Sequence, residues 1–335
     1  MSDSAKDLVS EKINYEEAVD DFLMSYKGLR KSELTISSYG FDLRLFMEFI
    51  EENKGTTTLD EATFRRMTLL YLDTLHVYGE DGKEYKVSSL NRKRIAIRRF
   101  VSFLAKRDYI HRDFTSSIEM VKNNNKPEKA VLEDNEVSKC IKVLEKKNKK
   151  ARTKHKEFTS IRNLFIFITF IYTGVRVNEL VNIKWSDFDF EKNNIRIRKG
   201  KGNKERVIPI NMELLEELEV YKSYLSNIFE NKDVFSGYLF FRNETTTDTP
   251  LSTKTARRVV EDTIKKSKID KKITPHNLRH TFASYGIKNN MSIPVLASIL
   301  GHSKNSITLD IYAHIINEVQ KQEEMDKISF NINNK

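Results

Sequence analysis

Four short segments in the second half of the chain concentrate the side chains able to do chemistry. They are Thr173-Gly-Val-Arg-Val-Asn-Glu-Leu180, Gly200-Lys-Gly-Asn-Lys-Glu-Arg206, His276-Asn-Leu-Arg-His280, and Leu300-Gly-His302 followed by Asp310-Ile-Tyr312. Guanidiniums, a glycine-flanked lysine, imidazoles and a phenol suit the breaking of a phosphodiester without metal or ATP. That reaction needs a nucleophile, positive charge on the non-bridging oxygens, and a proton for the leaving oxygen. Arginine serves the second task better than lysine, because its planar fork stays charged and grips phosphate bidentately. Each residue alone also has a plainer reading. Arg176 can cap the end of an apolar helix, and Lys201 has rivals in Lys199 and Lys204. His280 competes with His276, His302 can be a helix C-terminal dipole partner, and Tyr312 can be one more core tyrosine among 13. A zinc site on His276, His280 and His302 has a usable HxxxH spacing. It lacks an intervening glutamate and would set Arg279 beside the cation.

In this order and spacing the four segments resemble the tyrosine recombinase (phage integrase) family, and most of all its compact two-domain Xer-type members. The resemblance runs from about residue 14 to about residue 320. Any one segment is weakly specific; the ordered set is highly specific. The resemblance implies six catalytic positions: Arg176 in TGxRxxEL, Lys201 in the hairpin turn, His276 and Arg279 as the HxxR pair, His302 in LGH, and Tyr312 as nucleophile. It also implies a 3′-phosphotyrosine intermediate, strand exchange through a Holliday junction, and a homotetramer on two synapsed copies of a specific double-stranded DNA site. No cofactor is implied, and there is room for an accessory protein. Glu179 is expected in the supporting shell of hydrogen bonds and ion pairs. The biological role is either chromosome dimer resolution or integration and excision of a mobile element. A type IB topoisomerase-like relaxing enzyme shares this chemistry, and a non-catalytic DNA-binding module is the third class. The last is disfavoured because every catalytic position is filled.

These residues need elements to hold them. Apolar positions recurring at three- and four-residue steps, such as Ile36, Tyr39, Leu43, Phe46 and Ile50, predict helices over 14–26, 35–52, 58–75 and 88–106. No proline and no strand-like alternation occur before Pro127, so this part reads as an all-α bundle of about four helices. Helices are expected again at 132–146, 160–172, 212–226, 253–267, 276–288 and 293–300, with Ser292, Pro294 and Gly301 as start and stop signals of the last. Residues 194–199 and 205–210 alternate with period two around a Gly-Lys-Gly turn, a β-hairpin signal. The fold class is therefore mainly α in two domains. The resemblance implies a SAM-like core-binding bundle over 12–122, a linker over 123–130, and an α+β catalytic domain with a small antiparallel sheet over 131–317. A tail over 318–335 is expected to dock on a neighbouring protomer. No arm-binding domain is expected before residue 14. The stretch 77–86 looks longer than a usual connection, and 236–250 reads as a long polar loop.

Composition narrows the partner. The 335 residues carry net charge +10, with 58 Lys and Arg against 48 Asp and Glu. Residues 1–126 are balanced at 21 basic and 21 acidic, so the excess lies in the second half. Lys86–Arg107 is the exception, with eight basic residues and no acidic one at i±3 or i±4. A solvated face is the ordinary reading of such a run. The missing acidic partners favour phosphate contacts instead, with Arg92, Arg94, Arg98 and Arg99 as candidates to bind DNA. The single cysteine, Cys140, excludes an internal disulfide framework and Cys-rich zinc sites. The start has no apolar core of a secretory signal, and the apolar run 164–172 is too short to span a bilayer. A cytoplasmic protein making no use of a membrane is expected.

Overall fold

The computed structural model describes residues 12–75, 85–122, 130–198, 205–230, 233–243 and 245–301. The chain divides into two compact units, Met1–Pro127 and Glu128–Lys335, a division that falls inside the stretch read as a linker.

The first unit is built from α1 (Tyr15–Gly28), α2 (Glu33–Lys54), α3 (Glu61–Thr74) and α4 (Val87–Lys106). Local chemistry sets their ends. Ser32 caps α2 by accepting from the Thr35 N–H at 3.2 Å, and Gly55 stops it in the left-handed region at φ 68°. One expectation is corrected here. The third helix does not begin at Thr58, because Thr58–Leu59 (β2) pairs antiparallel with Ile13–Asn14 (β1) and Asp60 then caps α3 through the Thr63 N–H at 2.9 Å. Two-residue strands leave no period to read in a sequence. The four helices close on an aromatic core in which Tyr15 stacks on Phe64 at 3.6 Å and Phe22 meets Phe100 edge-on at 5.7 Å.

The second unit is organised around α6 (Lys154–Thr173), which packs on α5 (Asp134–Lys149), α8 (Met212–Ile228), α9 (Thr253–Lys266) and α10 (Pro275–Lys288). Its apolar circumference explains this: Phe158, Ile161, Phe165, Ile166, Phe167, Ile168 and Phe170 are all buried. Short α7 (Val177–Val181) and α11 (Ile293–Leu300) complete the α-helices of the described residues. The hairpin is β4 (Asn194–Ile197) against β5 (Arg206–Pro209), with Ile197 opposite Arg206 at its turn end. A third strand, β3 (Phe188–Asp189), adds to β4 and makes a three-stranded antiparallel sheet. The expectation of a polar loop over 236–250 is also corrected. Leu239, Phe240 and Phe241 are fully buried, and the Leu239 N–H donates to Ile183 O at 2.8 Å. Three consecutive apolar residues inside a polar stretch are the signal for this in the sequence. The stretch 77–86 lies outside the described residues except at Tyr85 and Lys86.

Candidate active site and nucleic-acid face

The site begins where α6 ends. Gly174 takes φ 60° and donates its N–H to Phe170 O, terminating the helix in a conformation that glycine adopts without strain. A Cβ there would also lie 2.5 Å from Phe282 Cδ1. The chain leaves through buried Val175 to Arg176, the N-cap of α7. Glu179, one turn on, closes that start: its Oε2 accepts from the Arg176 backbone N–H at 2.8 Å, and its Oε1 from Arg176 Nη1 at 2.9 Å.

Arg279 arrives at the same place from α10. Its guanidinium is buried, with Nη1 donating to Gly174 O at 2.8 Å and Nη2 donating to Leu300 O. Both acceptors lie at helix C-termini, where unpaired carbonyls and the macrodipole favour a cation. The two sequence-predicted arginines are therefore drawn to one end of α6, two residues apart in their attachment. His276 stands exposed in the first turn of α10, three residues before Arg279. Its ring meets that of buried His280 edge-to-face at 4.5 Å. Lys201, His302 and Tyr312 lie outside the described residues. What is described beside them is the turn end of the hairpin at Ile197 and Arg206, and Gly301 at the end of α11 with φ 64°. Among the described residues no group of three or more His, Cys, Asp or Glu could hold a metal ion.

Arg206 closes the lysine-bearing segment, and residue type and spacing assign it no role. It places Nη1 2.9 Å from Glu179 Oε1, Nη2 2.8 Å from Glu179 Oε2, and Nε 2.7 Å from Ile299 O. Burial by itself raises the Glu179 pKa, but the Arg206 hydrogen bonds and charge, the Arg176 N–H and the Arg176 charge outweigh it. The carboxyl therefore lies below the ordinary glutamate value.

On the first unit, the four arginines of α4 divide into two kinds. Arg92 Nη1 donates to Ser38 Oγ at 2.8 Å and pairs with Asp42 at 2.7 Å, and Lys93 lies buried 3.3 Å from the same carboxylate. The run lacks acidic partners only along its own helix, for α2 supplies Asp42. Arg94 braces the bundle, donating to Leu72 O at 2.9 Å and Glu119 O at 3.0 Å. Arg98 and Arg99 are exposed. Arg99 lines an open groove of about 770 Å³ with Tyr26, Tyr39, Phe103, Lys106 and Arg107, an aromatic and cationic surface.

Comparison with known proteins decides the kinship. The model of the phage integrase family matches residues 130–318, and that of the phage integrase N-terminal SAM-like domain matches residues 19–108. The chain belongs to the phage integrase family. It is 30% identical over 308 residues to the tyrosine recombinase XerA of Pyrococcus furiosus, covering 91% of this chain and 92% of that one. It is 31% identical over 297 residues to the tyrosine recombinase XerD of Staphylococcus saprophyticus, covering 88% and 91%. Its fold is similar to that of the XerH site-specific recombinase bound to a palindromic difH substrate, with TM-score 0.65 and 22% identity over 88% of this chain and 80% of that one. This integrase-family chain is thus a tyrosine recombinase, a DNA strand-transferring enzyme, with a SAM-like helical domain ahead of its catalytic domain. No helix among its described residues is long and apolar enough to cross a membrane.

Proposed function

We propose that the protein recombines two copies of a specific double-stranded DNA site as a homotetramer. The Tyr312 hydroxyl oxygen attacks the scissile phosphorus, and the bond to the 5′-oxygen breaks, leaving a 3′-phosphotyrosine. Lys201 gives the departing 5′-oxygen its proton. Arg176, Arg279 and His302 donate to the non-bridging oxygens as charge builds there, and His276 assists the proton leaving the tyrosine. The reverse step on a second duplex rejoins the strand, and two such rounds pass through a Holliday junction.

The observation that carries this reading is the Arg279 guanidinium bonded to Gly174 O, which ties α10 to the turn from which Arg176 departs. Two forks held by backbone carbonyls and a carboxylate are preorganised donors, which typically contribute ~2.7–4 kcal/mol each to an anionic transition state. The biological role is either chromosome dimer resolution or mobility of an element; one structural neighbour, the Tn1549 transposon integrase, is bound to transposon right end DNA. Exposed Arg98 and Arg99 are the α4 residues that meet the DNA backbone.

The tail 318–335 docks on a neighbouring protomer in a closed ring. Two features favour that. The tail carries Val319, Met325, Ile328, Phe330 and Ile332. The second unit carries an open groove of about 700 Å³ bordered by Val137, Ile141, Ile171, Phe282, Met291 and Ile299.

The test is a nicked duplex whose short cleaved end diffuses away and traps the adduct. Wild type is expected to accumulate protease-sensitive protein–DNA, and Tyr312→Phe to bind the same duplex and accumulate none. An adduct formed by the phenylalanine variant would remove Tyr312 as nucleophile.

A further inference from the structure

Glu179 is shared by two guanidiniums in unequal ways. The Arg206 guanidinium holds both carboxylate oxygens, at 2.9 and 2.8 Å, whereas the Arg176 guanidinium reaches Oε1 alone, at 2.9 Å, its backbone N–H taking Oε2. The side chains are 2% exposed for Glu179, 10% for Arg206 and 29% for Arg176. The inner arginine is thus matched to the carboxylate, and the outer one is partly open to solvent, with one guanidinium N–H bonded among the described residues.

The charges explain why this matters. An Arg176–Glu179 pair alone would be neutral, and a phosphate approaching Arg176 would meet a carboxylate behind it. With Arg206 added, the cluster keeps one positive charge, and that charge sits on the exposed member. A buried pair of this kind is seldom retained for stability alone, since apolar packing often serves as well.

Arg206 also reaches a third element. Its Nε bonds Ile299 O at 2.7 Å, while Arg279 takes the next carbonyl, Leu300 O. Its side chain lies against Gly301, where a Cβ would sit 3.1 Å from Arg206 Cδ and Nη1. One side chain at the turn end of the lysine hairpin therefore joins the start of α7 to the end of α11.

We propose that Arg206 is a positioning residue for strand transfer: it is the counter-ion of Glu179, and by neutralising that carboxylate it leaves the Arg176 guanidinium anchored by one edge and charged toward a phosphate. The inference rests on the reading of Arg176 as a ligand of the scissile phosphate.

Single-turnover formation of the covalent adduct on the nicked duplex tests it, with Arg206→Gln, Arg206→Lys and the double variant Arg206→Gln/Glu179→Gln. Arg206→Gln is expected to slow cleavage by about 10²-fold, the usual cost of losing one preorganised charge at the reacting phosphate, with DNA affinity nearly unchanged. Adding Glu179→Gln removes the uncompensated carboxylate and is expected to recover about tenfold of that loss, an interaction between neighbours that independent scaffolding defects do not show. Arg206→Lys keeps a cation beside Glu179 and is expected to cleave within about tenfold of wild type, the shortfall reflecting only the missing fork. A double variant no faster than Arg206→Gln, or a lysine variant as slow as the glutamine one, overturns the role and leaves Arg206 a scaffold residue. Should Arg206→Gln fail to fold, Arg206→Lys decides alone: near-wild-type cleavage supports compensation, and a loss of about 10²-fold overturns it. A wild type that forms no Tyr312-dependent adduct overturns the recombinase reading and this role together, whereas a cleaving wild type with an unrescued double variant overturns this role only.

Discussion

At the scale of single residues, the fold has altered the titration of Glu179. Its carboxyl is held below the ordinary glutamate value of 4.5, because Arg206 and Arg176 outweigh the cost of burial. A carboxyl with a depressed folded-state pKa contributes stability that is fully present above the unfolded value and is lost as pH falls through the folded one. Glu179→Gln should therefore destabilise the second unit at pH 7 by about 3 kcal/mol, the lower end for breaking a buried pair, since Arg176 remains partly solvated. The gap between wild type and variant should stay full down to about pH 4.5 and narrow below it. Trp185 is the only tryptophan and is buried in that unit, so its fluorescence in a urea titration reports the comparison directly. A gap that does not change between pH 7 and pH 3.5 would show that the ion pairs do not carry the stability. The ordered motifs, through the family resemblance they carry, point to Arg176, His276 and Arg279 as candidates. They could not disclose that Arg206 serves Glu179, because 27 positions separate the two and no local period connects them.

Among the elements, the long helices were legible and the short pieces were not. The apolar recurrences located α2, α4 and α10 to within a few residues, because each buries a continuous stripe, whereas α6 begins six residues before the expected 160 because its first turn, from Lys154, is polar and exposed and shows no apolar period. Five-residue α7 and the paired dipeptides β1 and β2 are too short to show a period, and their backbone partners come from distant parts of the chain. Helix α4 shows the other way in which a local reading falls short. Its basic run has no acidic neighbour along the helix, yet Asp42 of α2 takes Arg92 and Lys93, and two backbone carbonyls take Arg94. The four arginines should consequently behave as two classes. Replacing Arg98 and Arg99 together by alanine should flatten the dependence of log affinity on log salt by roughly 0.9 for each phosphate no longer neutralised. Arg94→Ala should leave that slope alone and lower stability by about 1–3 kcal/mol, because Leu72 O and Glu119 O lose their donor. Fluorescence anisotropy of a labelled duplex across salt, together with denaturant melts, separates the two outcomes. An unchanged slope for the Arg98/Arg99 variant would return that face to solvent.

For the whole molecule, the two units each close on a core of their own, and no buried residue of one hydrophobic cluster belongs to the other. The second half holds the net positive excess, and the first half is balanced only because the basic run of α4 offsets an acidic remainder. Assembly beyond one chain then depends on surfaces that a single copy leaves open. Apolar side chains in a terminal segment need somewhere to go, since burying one contributes ~1.5–3 kcal/mol and leaving several in water forfeits it. If the tail docks on a neighbouring copy, occupying a site by one protomer does not require it, whereas closing a ring of four does. Deleting residues 318–335 should therefore leave the affinity for a half-site unchanged, lower the yield of synapsed duplex pairs by about tenfold or more, as removal of an interface anchor does, and slow strand exchange in parallel. Gel-shift assays with half-site and full-site duplexes, run beside a recombination assay, give the three quantities from one preparation. A truncated protein that still pairs two sites and exchanges strands at the wild-type rate would place the tail on its own domain, and the cyclic contact would have to be sought elsewhere on the second unit.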